Sequence, residues 1–199
     1  MTPQIVLSSN NKGKLLELEK VLEPLSIKLI TQSEFNVVEA EETGLSFIEN
    51  AILKARSAAK QTNLPAIADD SGLVVPALNG APGIYSARYS GVNANSQSNI
   101  ELLLENMIDC QDRTAYFYCA LVYVKHYKDP TPIIAFGKFF GEIIRQQQGN
   151  AGFGYDPIFF LKQYNKTAAE IEPKLKNSIS HRAIASQQLL NLIEQDKIL

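Results

Sequence analysis

The first thirty residues alternate between strand-like and helix-like patterns, and this alternation restricts the fold more than any other feature of the chain. Residues 5–8 form a short apolar run that is typical of a buried strand. After a polar loop, leucine and valine recur at helical spacing up to Pro24, and residues 27–30 form a second apolar run. A strand–loop–helix–strand order favours an α/β fold.

Similar patterns farther along the chain predict more helices and a pair of long strands. Ser46 and Glu49 fit a capping box at the start of one helix. The turn-forming segment 128–132 separates the two strands, which we expect to form an antiparallel hairpin. The predicted helices cover residues 46–61, 100–107 and 180–197, with Leu199 among the apolar positions of the last. Residues 114–127 form one predicted strand, and residues 133–144 form one more strand or a pair, with bends or bulges at Gly137 and Gly141.

Length and composition are those of an ordinary globular chain. The 199 residues suit a single domain over 1–199, and 45% of them are apolar. A formal net charge of −2 argues against a nucleic-acid binder, and no apolar run reaches the roughly 18 residues of a membrane span. Cys110 and Cys119 lack metal-site spacing and the chain does not start with a signal-peptide pattern, so we expect reduced thiols and a cytoplasmic location.

Two adjacent acids, Asp69 and Asp70, follow an apolar run at residues 64–67 and precede Ser71 and Gly72, which we expect to end the strand. Burying acidic side chains is energetically costly unless a positive charge lies beside them. Because the chain has no cluster of histidines or cysteines that would suggest zinc, we expect that charge to be a hard cation such as Mg²⁺. Because neighbouring strand residues point to opposite faces, one acid should be the principal ligand or base. Alternatively, the acids satisfy the backbone of a turn.

Cationic side chains suggest where a phosphate could bind. Lys14 stands at the start of the first predicted helix, where an anion would offset its unfavourable position, and Ser9 and Asn11 offer further donors. The spacing is not that of a P-loop, so a solvated loop is the alternative. Lys54 lies beside the apolar stripe of the helix predicted over 46–61, where a lysine usually extends its ammonium to water rather than to a ligand.

Two motifs in the last quarter of the chain carry groups that can contact a base. The segment 152–157, Gly-Phe-Gly-Tyr-Asp-Pro, combines flexible glycines with aromatic rings that can stack on a base, although a packed turn explains it too. His181 and Arg182 follow Ser180, a plausible helix cap, and could form a donor cluster or an exposed first turn.

Taken together, these segments resemble the inosine/xanthosine triphosphate pyrophosphatase family, and the bacterial members most closely. The similarity covers nearly the whole chain, and several motifs in one order are more specific than any one of them. The motifs are Ser9-x-Asn11-x-x-Lys14-x-x-Glu17, Glu41-Glu42-Thr43-Gly44, Phe47-Ile48-Glu49-Asn50-Ala51 with Lys54-Ala55, Ala68-Asp69-Asp70-Ser71-Gly72-Leu73, Pro82-Gly83-Ile84-Tyr85-Ser86-Ala87-Arg88-Tyr89, Gly152-Phe153-Gly154-Tyr155-Asp156-Pro157 and Ser180-His181-Arg182.

The resemblance implies Mg²⁺-dependent hydrolysis of inosine, deoxyinosine and xanthosine triphosphates to the monophosphate and pyrophosphate. It implies a homodimer whose subunit has a mixed central sheet flanked by helices, elongated, with the active-site cleft between two lobes. Asp70 would be the general base and, with Glu41, a metal ligand. The substrate-binding residues would be Ser9, Asn10, Asn11, Lys12, Gly13, Lys14, Lys54 and Ser71 for phosphate and sugar, and Phe153, Gly154, Tyr155, Asp156, Lys176, His181 and Arg182 for the base.

Two other functions remain open from the residues alone. The chain could be a purine nucleotide sensor that binds without hydrolysis, although a pure binder needs no base beside its metal site. It could also be a phosphatase that releases orthophosphate. The identity of the product distinguishes all three.

Overall fold

The computed structural model describes residues 2–196, which form a mixed α/β fold around a seven-stranded sheet of order β2-β1-β3-β4-β5-β6-β7. Strand β1 pairs in parallel with β2 and β3, whereas β6 is antiparallel to β5 and β7. The strands are β1 (Gln4–Leu7), β2 (Lys28–Thr31), β3 (Ala66–Val74), β4 (Thr114–Val124), β5 (Ile133–Ile143), β6 (Phe159–Leu161) and β7 (Lys166–Thr167). The helices are α1 (Lys12–Leu22), α2 (Phe47–Thr62), α3 (Ser96–Asn106), α4 (Pro173–Ile179) and α5 (His181–Gln195). The predicted mixed sheet with flanking helices is therefore confirmed.

Side chains at the helix starts explain where the helices begin. The Ser46 hydroxyl accepts from the Glu49 N–H, which is one half of the expected capping box of α2, whereas the Glu49 carboxylate accepts from the Leu45 N–H, one residue before the position that the box requires. Helix α3 begins four residues before the prediction because Asn95 and Ser98 make a complete capping box. Among residues 2–196, the helices lack the length and apolar content needed to cross a membrane. The end of the last predicted helix, Lys197, and the apolar Leu199 lie outside the described residues.

The expectation that Ser71 and Gly72 end the strand at the two acids was wrong. Strand β3 continues through both residues to Val74, so Asp69 and Asp70 lie in the middle of a nine-residue strand. Leu73 is completely buried and holds the continuing strand in a hydrophobic core. The sequence pattern also missed β6, β7 and α4, which are too short to show a clear period.

The chain divides into two compact units, each with a hydrophobic core of its own. The first unit contains residues up to 70, 119–137 and those from 182 on, and the second contains residues 71–118 and 138–181. In the first, β1 and α1 pack with α5 through residues such as Leu7, Leu18 and Leu189. In the second, α3 packs on apolar residues that include Leu73 and Phe159. The prediction of a single domain over 1–199 stays a prediction.

Asp129 organises the turn after β4, and its removal should destabilise the first unit. Its buried carboxylate accepts hydrogen bonds from the Lys125 N–H (2.9 Å), the Thr131 N–H (2.9 Å) and the Thr131 hydroxyl (3.2 Å). Asp129→Ala leaves these donors unpaired, and we expect the free energy of unfolding to fall by about 2 kcal/mol in urea denaturation. Asp129→Asn keeps one acceptor oxygen, so its free energy of unfolding should lie between those of the wild type and Asp129→Ala. Equal stability of all three would contradict this role.

The same carboxylate gives a dependence on pH. Burial acts to raise the pKa of Asp129, but the hydrogen bonds from Lys125 and Thr131 hold it below its ordinary value. Its stabilisation is therefore complete above the unfolded pKa of about 3.9 and is lost as the pH falls through the lower, folded pKa.

Candidate active site

The pairing of β1 with β3 brings the loop after β1 to the two acids. Leu7 is in register with Ile67, and the Ser8 N–H donates to the Ile67 carbonyl at 2.8 Å. The parallel strands β1 and β3 have their carboxyl ends at the same edge of the sheet. The loop at residues 8–11 and the start of α1 therefore lie beside the segment that holds Asp69 and Asp70. The alternation of strand side chains then gives the two acids different partners.

Asp69 is buried and belongs to a partly buried cluster of two cations and two carboxylates. The Lys14 ammonium donates to both of its oxygens, at 2.9 and 2.8 Å, and Arg182 Nε lies 3.9 Å from Oδ2. Arg182 also donates to the Glu17 carboxylate at 3.1 Å. Burial acts to raise the pKa of Asp69, but Lys14 and Arg182 hold it below its ordinary value, so the carboxylate is ionised. The structure thus pairs Lys14 with a carboxylate of the protein, and the phosphate expected near Lys14 stays a prediction.

Asp70 faces a second cluster, in which one ammonium contacts two carboxylates. The Lys54 ammonium donates to Asp70 at 2.9 Å and to Glu42 at 2.8 Å. Burial raises the pKa of Asp70 even though Lys54 opposes this effect. Burial acts to lower the pKa of Lys54, but the two carboxylates raise it, so the ammonium stays charged. The two carboxylates supply hard oxygen ligands of the kind that a divalent cation prefers.

The carboxylates fit a Mg²⁺ ion that shares its coordination with phosphate. Glu42 and Asp70 both reach Lys54 Nζ, whereas Glu41, the ligand expected from the resemblance, is exposed. Residues 2–196 contain no group of three or more His, Cys, Asp or Glu side chains placed to hold a metal. Mg²⁺ commonly takes one or two carboxylates together with substrate phosphates, so two protein ligands suffice. The assignment of Glu41 stays a prediction.

The loop before α1 is organised by its own side chains. Asn11 caps the helix, because its Oδ1 accepts from the Gly13 N–H (2.9 Å) and the Lys14 N–H (3.2 Å), and the Ser9 hydroxyl accepts from the Asn11 N–H (3.2 Å). A phosphate would have to compete with Asn11 for two of the amides at this helix end. Asn10 and Lys12 are exposed.

In the second unit, the segment 152–157 forms a turn that presents one aromatic ring to solvent. Gly152 and Gly154 adopt positive φ angles of 81° and 59°, and between them Phe153 is 66% exposed. The buried Asp156 accepts from the Phe153 N–H at 2.8 Å and forms an ion pair with Lys176, whose ammonium lies 4.7 Å from the Phe153 ring centroid. The structure thus brings Phe153, Asp156 and Lys176 together, with Phe153 free to stack.

Three other residues assigned to the substrate have mainly packed surroundings. Tyr155 is buried and donates from its hydroxyl to the Ser86 carbonyl at 2.9 Å, so its ring supports the turn. His181 is buried with its ring stacked on Phe117 at a centroid distance of 5.1 Å. Ser71 is half-buried on β3. Their roles toward a substrate stay predictions.

The structure adds three residues that the sequence did not single out as site residues. Glu42 shares Lys54 with Asp70, Glu17 contacts Arg182, and Asn50 contacts Asp70. All three stand in motifs quoted above, next to or about one turn from a predicted site residue, which is a signal that could have found them. Asn50 precedes Lys54 by one helical turn, and that spacing places both side chains on the same face of α2.

The fold and these clusters define an α/β protein in which lysines and carboxylates that could bind a phosphate and a divalent cation lie in contact with each other. The model of the Ham1 family matches residues 5–192, and the chain belongs to this family.

Named relatives agree with this assignment. The chain is 55% identical to a dITP/XTP pyrophosphatase of Legionella pneumophila (strain Lens) over 192 residues, which cover 96% of this chain and 98% of that protein. It is 53% identical to a dITP/XTP pyrophosphatase of Escherichia coli O157:H7 over the same shares. The solved structure of a HAM1 protein from Coxiella burnetii has a TM-score of 0.95 and 49% identity, over 98% of this chain and all of that chain.

Proposed function

We propose that this chain is a nucleoside triphosphate pyrophosphatase that hydrolyses deaminated purine nucleoside triphosphates, such as those of inosine, deoxyinosine and xanthosine, to the monophosphate and pyrophosphate. The observation that carries the proposal is the partly buried contact of Asp70 with Lys54, which also binds Glu42. It provides a base, a cation and a second carboxylate in one place, in a chain more than half identical to dITP/XTP pyrophosphatases.

Asp70 would align a water molecule and take its proton during in-line attack on the α-phosphorus. Burial holds the pKa of the Asp70 carboxylate above its ordinary value, and a carboxylate with a raised pKa accepts a proton more readily. Lys54 and Lys14 would stabilise the charge that develops on the departing pyrophosphate. When bound by Glu42 and Asp70, and by Glu41 as the resemblance implies, Mg²⁺ would neutralise charge on the phosphate oxygens.

The residues from Ser9 to Lys14, with Lys54 and Ser71, would bind phosphate and sugar. Phe153 would stack on the purine, and Asp156 and Lys176 would hold the turn that carries it. Tyr155, His181 and Arg182 complete the base-binding set implied by the resemblance.

Product identification tests the proposed function against its alternatives. Purified protein is mixed with deoxyinosine triphosphate and Mg²⁺, and pyrophosphate and orthophosphate are measured separately, with adenosine and guanosine triphosphates as comparison substrates. We expect the products to be pyrophosphate and deoxyinosine monophosphate, and we expect EDTA to abolish the activity. Orthophosphate as the first product would indicate a phosphatase, and tight binding without any product would indicate a sensor.

Arg182→Ala tests the source of base selection. An arginine donor facing the oxygen at purine C6 would face an amino donor in adenine, and an unpaired polar group of this kind costs about 1–3 kcal/mol. We therefore expect the ratio of kcat/KM for inosine over adenosine triphosphate to narrow by about 10-fold. An unchanged ratio with reduced stability would instead assign Arg182 to its ion pairs with Glu17 and Asp69.

We also propose that the metal is Mg²⁺, that the protein forms a homodimer and that it works in the cytoplasm. Hard carboxylate oxygens suit Mg²⁺. The free thiols of Cys110 and Cys119 suit a reducing compartment. The homodimer is implied by the family resemblance, and light scattering coupled to size-exclusion chromatography would test it by giving twice the 22.0 kDa chain mass.

A further inference from the structure

Asn50 is a completely buried polar side chain that lies between the acidic loop and Asp70. Its Oδ1 accepts a hydrogen bond from the Gly44 N–H at 2.8 Å, and its Nδ2 donates to Asp70 Oδ2 at 3.4 Å. The orientation of the amide follows from chemistry, because a backbone N–H can meet only the oxygen of the side chain. The nitrogen must then face the carboxylate.

The loop that carries Glu41 and Glu42 packs tightly on this amide. A Cβ atom at Gly44 would stand 2.8 Å from Asn50 Oδ1 and 2.5 Å from Glu49 Cβ, so only glycine fits there. The next N–H, that of Leu45, donates to the Glu49 carboxylate at 2.9 Å. Residues of the first turn of α2 therefore hold the loop at Gly44 and Leu45, just after its two glutamates. Of the two side chains that hold it, Asn50 also contacts Asp70.

We propose that Asn50 is a positioning residue that sets the distance between the acidic loop and Asp70. One amide holds both, so the Glu42 carboxylate and the Asp70 carboxylate arrive at Lys54 in a fixed relative geometry. This inference rests on the proposed function, because the geometry it maintains is that of the base and the metal ligands. Misplacement of a reacting group by about 1 Å can slow catalysis by as much as 100-fold.

Two substitutions separate the two contacts of Asn50. Asn50→Asp keeps an acceptor for the Gly44 N–H but replaces the donor to Asp70 with a repelling carboxylate. Asn50→Ala removes both contacts. We expect kcat for deoxyinosine triphosphate to fall about 10-fold in both variants, with KM within about 2-fold of wild type. Hydrogen exchange at the Gly44 amide should accelerate in Asn50→Ala and remain slow in Asn50→Asp.

Asn99→Ala is the matched control. Asn99 is also a buried asparagine on a helix, and it holds another loop by accepting from the Ser90 N–H and donating to the Ser86 and Ala87 carbonyls. Its loss should cost comparable stability while leaving kcat and Gly44 exchange unchanged.

Three outcomes decide the inference. Wild-type kcat in both Asn50 variants, corrected for the folded fraction, would overturn it, as would unchanged Gly44 exchange in Asn50→Ala. An equal fall of kcat in Asn99→Ala would also overturn it, since general destabilisation would then explain the effect. If the wild-type protein releases no pyrophosphate, the proposed function fails, and the exchange measurement still tests the contact of Asn50 with the loop.

Discussion

Asp70→Asn is expected to lower kcat for deoxyinosine triphosphate by at least about 100-fold, the usual scale for the loss of a positioned acid–base group. Asparagine keeps the shape of the side chain, and it can still contact Lys54 through its amide oxygen. It cannot take a proton from water, and it is a poorer ligand for a divalent cation. Steady-state pyrophosphate release at saturating Mg²⁺ measures the loss.

The matched control is Asp109→Asn, which makes the same charge change at an exposed position of the second unit. This variant should keep wild-type kcat. Near wild-type turnover in Asp70→Asn, confirmed on protein shown to be folded, would remove Asp70 from the role of general base.

Asp69→Asn is expected to lower the free energy of unfolding more than Asp129→Ala does. The carboxylate is 3% exposed and is the direct partner of the Lys14 ammonium, with Arg182 nearby. Removing it leaves the Lys14 ammonium without its carboxylate partner, and breaking a buried ion pair in this way costs about 3 kcal/mol. For a chain of this length that is roughly 6–12 °C in Tm. Lys14 is partly exposed, and water reaching its ammonium keeps the loss from being larger.

A double-mutant cycle with Lys14→Met isolates the ion pair. If Asp69 acts mainly by holding Lys14, the loss of stability in the double variant should be smaller than the sum of the two single losses. Additive losses would show that Asp69 is stabilised by other groups, and a change of less than about 0.5 kcal/mol in Asp69→Asn would refute the predicted effect.

The local patterns of the sequence were sufficient for the elements near the chain start. Strand β1, helix α1 and strand β2 follow from apolar runs and helical spacing, and Ser46 and Glu49 mark the start of α2 through a contact within one turn. The strand through Asp69 and Asp70 was misjudged because Ser71 and Gly72 are turn formers locally. Burial of Leu73 in the core overrides that preference, and local sequence does not report it.

The sequence by itself determined the α/β class, the family and the residue types that could bind a phosphate and a metal, because these depend on local periodicity and on motifs in a given order. Only the tertiary structure decided which charged side chains form ion pairs with each other. Lys14 reaches Asp69 across 55 positions, and Lys54 joins Asp70 to Glu42 rather than to Glu41. Such partnerships depend on the parallel register of β1 with β3 and on the packing of α2, and ion pairs between distant residues leave no period in the chain.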